Sequence, residues 1–213
     1  TLFRSVPMDQ AALLADAVST PYAAVVHTAQ VHMGNTVAVW GVGGVGAHLV
    51  QLSKLAGAVP VIAVDLNDAV LERAKRLGAD YAFRSDDPDL MKKIEDITDG
   101  RMVDIAFDAV GIQPTLRACV ESLDINGKAV SIGLSPQNID AGTFLEFNLK
   151  KKQLLGHLGY KRQDVARLAD MLSYGRLDLT ESISKIIPLT DIKQGIDDLE
   201  NHRVNPIRIL VKP

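Results

Sequence analysis

An apolar strand, a glycine-rich turn and a helix follow one another between residues 36 and 56, and this order strongly constrains the fold. The turn reads Gly41-Val42-Gly43-Gly44-Val45-Gly46, directly after the apolar run Thr36–Trp40 and before the helical stretch His48–Ala56. In such a turn the first glycine takes the sharp bend, the second admits a pyrophosphate and the third lets the helix pack closely on the sheet. The pyrophosphate lies against free N–H groups at the positive end of the helix dipole. The sequence therefore predicts a dinucleotide-binding turn.

An acidic residue, Asp65, ends the second apolar run, Val59–Val64. It lies about 20 residues beyond the glycines, where a carboxylate reaches the adenosine ribose. An ionised carboxylate accepts hydrogen bonds from the ribose hydroxyls and repels a 2′-phosphate, so the prediction is NAD rather than NADP. An alternative interpretation is that Asp65 only begins the capping sequence of the next helix, Ala69–Leu77.

The composition excludes several classes of protein. A chain of 213 residues is expected to form one large or two small domains, and 47% hydrophobic content is enough to fill a sizeable core. A net charge of -3 offers no basic surface, so no nucleic-acid partner is expected. No apolar run approaches the roughly 18 residues that span a membrane, and no signal peptide is visible, so a cytoplasmic location is expected. The single cysteine, Cys119, is predicted to be buried and inert.

Apolar runs alternate with helical patterns in the way that builds a parallel sheet covered on both faces. The alternation predicts an α/β fold with a doubly wound, six-stranded parallel sheet of the Rossmann type. The predicted strands are Val37–Val42, Val59–Val64, Tyr81–Phe83, Val103–Phe107, Ala129–Ile132 and Leu154–Leu158. The predicted helices between them are Val45–Ala56, Ala69–Leu77, Pro88–Thr98 and Pro114–Leu123.

The pattern changes after about Tyr160, where an appended segment is predicted to pack beside the sheet. Its predicted elements are a helix at Gln163–Tyr174, a strand at Ile183–Ile187, a helix at Asp191–Asn201 capped by Thr190, and a strand at Ile207–Val211. The chain opens Thr1-Leu2-Phe3-Arg4, without an initiator methionine, which indicates a fragment that continues upstream.

Taken together, these motifs resemble the C-terminal, cofactor-binding part of the zinc-dependent medium-chain alcohol dehydrogenase family over nearly the whole chain. The segments that carry the resemblance are Asp16–Tyr22, Gly41–Gly46, Asp65 with Asn67, Arg73–Ala79, Asp108–Gly111, Ile132-Gly133 and Asn205–Arg208. The resemblance implies three segments. Residues 1–18 end a GroES-like catalytic domain, residues 19–158 form the NAD-binding Rossmann domain, and residues 159–213 return to the catalytic domain.

The resemblance also implies a metal ligand and a set of cofactor contacts. Asp16 falls where the family places the last ligand of the catalytic zinc, whose other ligands would lie upstream; the alternative is an ordinary acid at a helix junction. The implied cofactor-binding residues are Thr20, Gly41, Gly43, Gly44, Val45, Gly46, Asp65, Val110, Ile132 and Arg208. Read without the family, Thr20 is a helix cap, the valines and Ile132 are core residues, and Arg208 is an exposed charge.

The implied function is NAD-dependent hydride transfer between an alcohol and an aldehyde or ketone, with zinc in the full-length enzyme. None of the five histidines is assigned a catalytic role, and His48 is expected to be half-exposed. The isolated chain is expected to be inactive. A homodimer or homotetramer is expected, with Ala129–Leu134 and Thr143–Asn148 as candidate edge elements. Two alternatives stay open: a zinc-free quinone or enoyl reductase that prefers NADPH, and a non-catalytic NAD-sensing module.

Overall fold

The computed structural model describes residues 6–201 and 207–213. The predictions on Thr1–Arg4 and Asn205-Pro206 lie outside these residues, as does one of the five histidines, His202. The chain divides into two compact units, Pro21–Leu158 and Thr1–Thr20 with Gly159–Pro213. No helix within the described ranges is long and apolar enough to cross a membrane.

The first described residues form short helical pieces. Helix α1 spans Met8–Ala11 and helix α2 spans Ser19–Ala23. A kinked π-helical segment, Leu14–Val18, precedes α2, and a second π-helical segment, Ala24–Ala29, follows it. Sequence patterning did not predict these pieces, because each is too short to show a helical period.

Strands and helices alternate through the Pro21–Leu158 unit. The strands are β1 (Val37–Trp40), β2 (Val61–Asp65), β3 (Tyr81–Arg84), β4 (Val103–Asp108), β5 (Leu123–Ser131) and β6 (Gln153–Gly156). The helices are α3 (Gly46–Leu55), α4 (Asp68–Arg76), α5 (Leu90–Ile97), α6 (Gln113–Glu121) and α7 (Phe144–Leu149).

The six strands form one parallel sheet among the described residues, in the order β3-β2-β1-β4-β5-β6. This order is that of a Rossmann fold, so the predicted fold class is confirmed. The strand order reverses between the neighbouring parallel strands β1 and β4, where Trp40 is the register partner of Asp108. Ligands of open parallel sheets bind outside the carboxyl ends of the strands at such a switch point.

Alternate residues of the central strands are buried on opposite faces of the sheet. One core cluster joins Trp40 and Ile62 of the sheet to Ile94 of α5 and to Cys119 and Val120 of α6. Cys119 is fully buried, as predicted, and burial together with the charge of Asp108 raises the pKa of its thiol well above the usual value.

The other unit contains α8 (Arg162–Ser173), β7 (Ile183–Pro188), α9 (Ile192–Glu200) and β8 (Arg208–Lys212). Strands β7 and β8 pair in parallel. Its buried apolar side chains include Leu168, Leu172, Leu179, Ile187 and Ile207. The prediction that Thr190 caps the last helix was wrong: a 3-10 turn, Leu189–Asp191, precedes α9, and the Thr190 hydroxyl donates to the Asp191 carboxylate.

Candidate dinucleotide-binding site

The glycine turn is tightly packed at its first and last glycines and open at Gly43. Gly41 has a φ of 80°, which favours glycine, and a Cβ added there would lie 2.4 Å from Cγ2 of Val110. A Cβ added at Gly46 would lie 1.8 Å from the carbonyl oxygen of Gly41, so α3 starts in backbone contact with the turn. A Cβ added at Gly43 would meet no atom within 4 Å. The turn therefore leaves space at its second glycine, where a ligand can approach the backbone.

The amino end of α3 offers unpaired backbone donors. The N–H groups of Gly43, Gly44 and Val45 have no hydrogen-bond partner within the described residues. Val45 is the N-cap residue and supplies no side-chain cap. Free N–H groups at the positive end of a helix form an anion site.

His48 differs from the expectation. Its side chain is 1% exposed rather than half-exposed, and Nδ1 lies 2.9 Å from the carbonyl oxygen of Gly44. The sequence pattern did not predict this contact, in which the imidazole reaches back over the first helical turn to a residue four positions earlier. His48 therefore helps to fix the turn rather than facing solvent.

Asp65 lies at the carboxyl end of β2 and binds the backbone of the turn. Its Oδ2 accepts a hydrogen bond from the N–H of Val42 at 2.8 Å, and its Oδ1 accepts one from Asn67 N–H at 3.0 Å. Asn67, not Asp65, caps α4, since the Asn67 side chain accepts from the N–H of Ala69. A carboxylate has about four acceptor positions, so Asp65 retains capacity for hydroxyl donors of a ligand.

On the other side of the switch point, Asp108 organises the ends of β4 and β5. Its Oδ1 accepts from the N–H groups of Val110 and Gly111, each at 3.1 Å, and its backbone oxygen accepts from the N–H of Ile132. Val110 is 39% exposed and Ile132 is buried. Asp108 was not predicted as a site residue, although its place before Val110 and Gly111 at a strand end was a signal for it.

A cavity of about 430 Å³ opens at the carboxyl ends of β4, β5 and β6. Polar lining residues include Asp108, Gln113, Ser131, Gln137 and His157. Oδ2 of Asp108 is buried and has no hydrogen-bond partner among residues 6–201 and 207–213. The lining thus combines apolar surface with an acceptor that a water or ligand donor can satisfy.

Three predicted site residues belong to the other unit. The hydroxyl of Thr20 donates to Oδ1 of Asp16 at 2.8 Å, so Thr20 is not a free helix cap. Asp16 has a φ of 68°, a backbone conformation that is strained for a side-chain-bearing residue and recurs at functional sites. Arg208 is partly buried, and burial lowers its pKa while the charge of Asp16 opposes that shift.

The described residues alone do not fit a zinc ion. They contain no cluster of three or more histidine, cysteine, aspartate or glutamate side chains that could hold a metal. Asp16 could therefore supply only one ligand, and a zinc site needs three protein ligands or more.

The comparison with protein families identifies the chain. Residues 44–174, more than half of the sequence, match the family described as zinc-binding dehydrogenase. The chain belongs to the zinc-binding dehydrogenase family. The resemblance to the cofactor-binding part of zinc-dependent alcohol dehydrogenases is thereby confirmed.

Relatives with known names agree with this assignment. This zinc-binding dehydrogenase is 28% identical to an alcohol dehydrogenase of Cupriavidus necator, over 96% of this chain and 56% of that protein. Its fold matches alcohol dehydrogenase TADH from Thermus sp. ATN1 with a TM-score of 0.91 at 23% identity, over 99% of this chain and 60% of that one. The 2R,3R-butanediol dehydrogenase of Bacillus subtilis matches with a TM-score of 0.88 at 25% identity, over 99% and 59%. The chain therefore spans a little over half the length of these proteins.

Proposed function

We propose that the Pro21–Leu158 unit binds NAD(H) and serves hydride transfer between an alcohol and an aldehyde or ketone. The observation that carries the proposal is the geometry of the glycine turn, which is packed at Gly46 and open at Gly43. A pyrophosphate at Gly43 would accept hydrogen bonds from the unpaired N–H groups of Gly44 and Val45.

The spacing of the other predicted contacts supports a ligand as long as a dinucleotide. Asp65 ends β2, and Ile132 follows β5 on the far side of the switch point. Three strand spacings separate them, a distance of about 14 Å along the carboxyl edge. An adenosine ribose at Asp65 would therefore place the nicotinamide end near Val110 and Ile132.

Asp65 supports NAD over NADP. Its carboxylate already accepts two backbone N–H groups, which fixes its orientation towards the turn. The remaining lone pairs suit ribose hydroxyls, and the negative charge opposes a 2′-phosphate. The same residue argues against a reductase that prefers NADPH.

The contribution of this chain to the reaction is binding and orientation. The chemistry that bound NAD⁺ supplies is acceptance of a hydride at nicotinamide C4, while the alcohol also releases a proton and becomes a carbonyl compound. The relative in Cupriavidus necator supports an alcohol or carbonyl substrate. Asp16 remains a candidate zinc ligand within a longer protein, and residues 1–18 and 159–213 remain proposed parts of its catalytic domain.

Calorimetric titration of the chain with NAD⁺ and with NADP⁺ tests the proposal. The wild-type chain is expected to bind NAD⁺ more tightly than NADP⁺. Asp65→Asn keeps an acceptor for the N–H of Val42 but loses the negative charge. This variant is expected to bind NAD⁺ about tenfold more weakly than the wild-type chain, because it loses one charged hydrogen bond to the ribose. The matched control is Asp96→Asn on α5, an exposed carboxylate paired with Lys92. Preference for NADP⁺, or binding of neither cofactor, would overturn the proposal.

The isolated chain is expected to oxidise no alcohol, which is assayed by NADH absorbance with a panel of primary and secondary alcohols. Turnover above the rate without protein would contradict this expectation.

We further propose that two copies associate through the edge of the sheet at β6. Large apolar side chains are exposed on the segments around this edge, namely Leu134, Phe144, Leu145, Leu149 and Leu158. Burial of such surface favours association. Light scattering after gel filtration is expected to give at least twice the chain mass, and Phe144→Glu is expected to reduce it. A monomer at all concentrations would refute this association.

A further inference from the structure

Arg84 ends β3 beside Asp65, at the edge of the sheet where the adenosine ribose is proposed to bind. The two residues are register partners on neighbouring parallel strands. Their Cα atoms therefore lie about 4.8 Å apart, and their side chains leave the same face of the sheet. A cation is thus available within one side-chain length of the proposed 2′-hydroxyl position.

Two carboxylates hold the Arg84 guanidinium. Nε and Nη2 donate to the two oxygens of Asp86, both at 2.8 Å, in the bidentate arrangement that suits this pair. Nη1 donates to Oδ1 of Asp68, the first residue of α4, at 3.0 Å. The bonds to Asp86 and then to Asp68 raise the pKa of Arg84, and the bond from Arg84 lowers the pKa of Asp86.

This arrangement changes the electrostatics of the ribose edge. Arginine is well suited to bind a 2′-phosphate, because its planar donors match two phosphate oxygens. In this chain three of its five N–H groups and its charge are already engaged by carboxylates. Asp68 and Asp86 thus place two carboxylates on one guanidinium, next to the strand that ends at Asp65.

We propose that Asp68 and Asp86 are a second determinant of the preference for NAD, because they withhold Arg84 from a 2′-phosphate. Asp65 repels that phosphate directly, and the outer carboxylates occupy the cation that would bind it. Neutralising Asp65 alone therefore leaves the chain without a strong NADP⁺ site. The inference rests on the proposed function and names a further specificity-determining group for it.

Substitution of Asp68 and Asp86 is expected to change cofactor binding without unfolding the chain. Both ion pairs of Arg84 are exposed, and exposed pairs contribute little to stability. Asparagine keeps the side-chain shape and removes the charge. Urea unfolding of each variant is expected to match the wild-type chain, which separates an effect on recognition from an effect on folding.

The test compares three variants by calorimetric titration with NAD⁺, NADP⁺ and adenosine 2′,5′-bisphosphate, which carries the 2′-phosphate without the nicotinamide. They are D65N, D65N/D68N/D86N and D65N/D68N/D86N/R84Q. The triple variant is expected to bind NADP⁺ and the bisphosphate at least about tenfold more tightly than D65N, as one new charged hydrogen bond provides. Adding R84Q is expected to abolish that gain.

A matched control removes two negative charges at another place on the surface. D65N/E95Q/D96N frees Lys92 from its two acidic partners on the surface of α5. It is expected to bind NADP⁺ no better than D65N, because the freed cation lies away from the ribose edge. A gain equal to that of the triple variant would show a general charge effect and overturn the inference.

The remaining outcomes are also decisive. The role of Arg84 would be overturned if D65N and the triple variant bound NADP⁺ equally, or if the gain in affinity survived R84Q. In either case, NAD⁺ binding by the wild-type chain would leave the proposed function intact. A wild-type chain that binds no NAD⁺ would overturn the proposed function and this inference with it. If the triple variant unfolds, D68N/D86N replaces it and must bind the bisphosphate more tightly than the wild-type chain, or the inference fails.

Discussion

Alanine at Gly43 is expected to weaken NAD⁺ binding without weakening the fold. A Cβ at this position has no neighbour within 4 Å, and the backbone φ lies outside the left-handed region. Loss of glycine also narrows the unfolded ensemble, so the free energy of unfolding should stay unchanged or rise by up to about 1 kcal/mol. The new methyl group would occupy the proposed approach of the pyrophosphate. Loss of one backbone hydrogen bond to phosphate costs about 1.5–3 kcal/mol, or about 10- to 150-fold in Kd.

Alanine at Gly46, three residues along the same turn, is expected to damage the fold itself. Its Cβ would lie 1.8 Å from the carbonyl oxygen and 2.8 Å from the carbonyl carbon of Gly41, which are backbone atoms. The start of α3 must move by about 1.2 Å or more to relieve this overlap, and overpacking of this kind typically costs about 1–3 kcal/mol. The free energy of unfolding should therefore fall by that amount, and NAD⁺ binding should fall with it.

Urea unfolding followed by circular dichroism measures the stability of both variants, and calorimetric titration measures the NAD⁺ affinity. Trp40, the single tryptophan of the sequence, directly precedes the turn and adds a fluorescence signal. Wild-type affinity of Gly43→Ala would refute the proposed pyrophosphate path. Wild-type stability of Gly46→Ala would refute the close contact between α3 and the turn.

Two buried side chains away from the turn give the remaining predictions. The Lys152 ammonium donates to the carbonyl oxygen of Val120 at 2.7 Å and to Glu146 at 2.8 Å, so Lys152→Met should lower the free energy of unfolding by about 1–3 kcal/mol. The bond from Lys152 lowers the pKa of Glu146, so its stabilisation is complete above the ordinary pKa of 4.5 and is lost as the pH falls through the lower, folded value. Unfolding of Lys152→Met should accordingly depend less on pH in this acid range, and an unchanged acid dependence would contradict the pairing. Cys119, with its thiol pKa raised by burial, should react with a chromogenic disulfide reagent at pH 8 only after unfolding, and rapid reaction of the native chain would contradict its burial.

Much of the fold could be predicted because long apolar runs and helical periods have a direct structural meaning. The short helical pieces before β1 and helix α7 were not predicted, and the errors in the strands are at their ends. The second strand was predicted from Val59 but starts at Val61, since Pro60 has no N–H to donate to a neighbouring strand. The fifth strand was predicted from Ala129 but begins at Leu123, with a register irregularity between Val103 and Ile105 on its partner β4.

The candidate site could be predicted only where backbone geometry dictates residue type. The glycines were found because a close backbone approach excludes a Cβ, as it does at Gly46. The roles of Asp108 and Arg84 were missed, because hydrogen bonds to Val110 N–H and to Asp86 depend on how loops close in three dimensions. The functional roles of the predicted contacts stay predictions.

A crystal structure of the chain with NAD⁺ tests the central claim most directly. The pyrophosphate oxygens are predicted to lie within hydrogen-bonding distance of the N–H groups of Gly44 and Val45, with the adenosine ribose hydroxyls on the Asp65 carboxylate. A dinucleotide bound elsewhere on the chain, with no contact to the glycine turn or Asp65, would contradict the account.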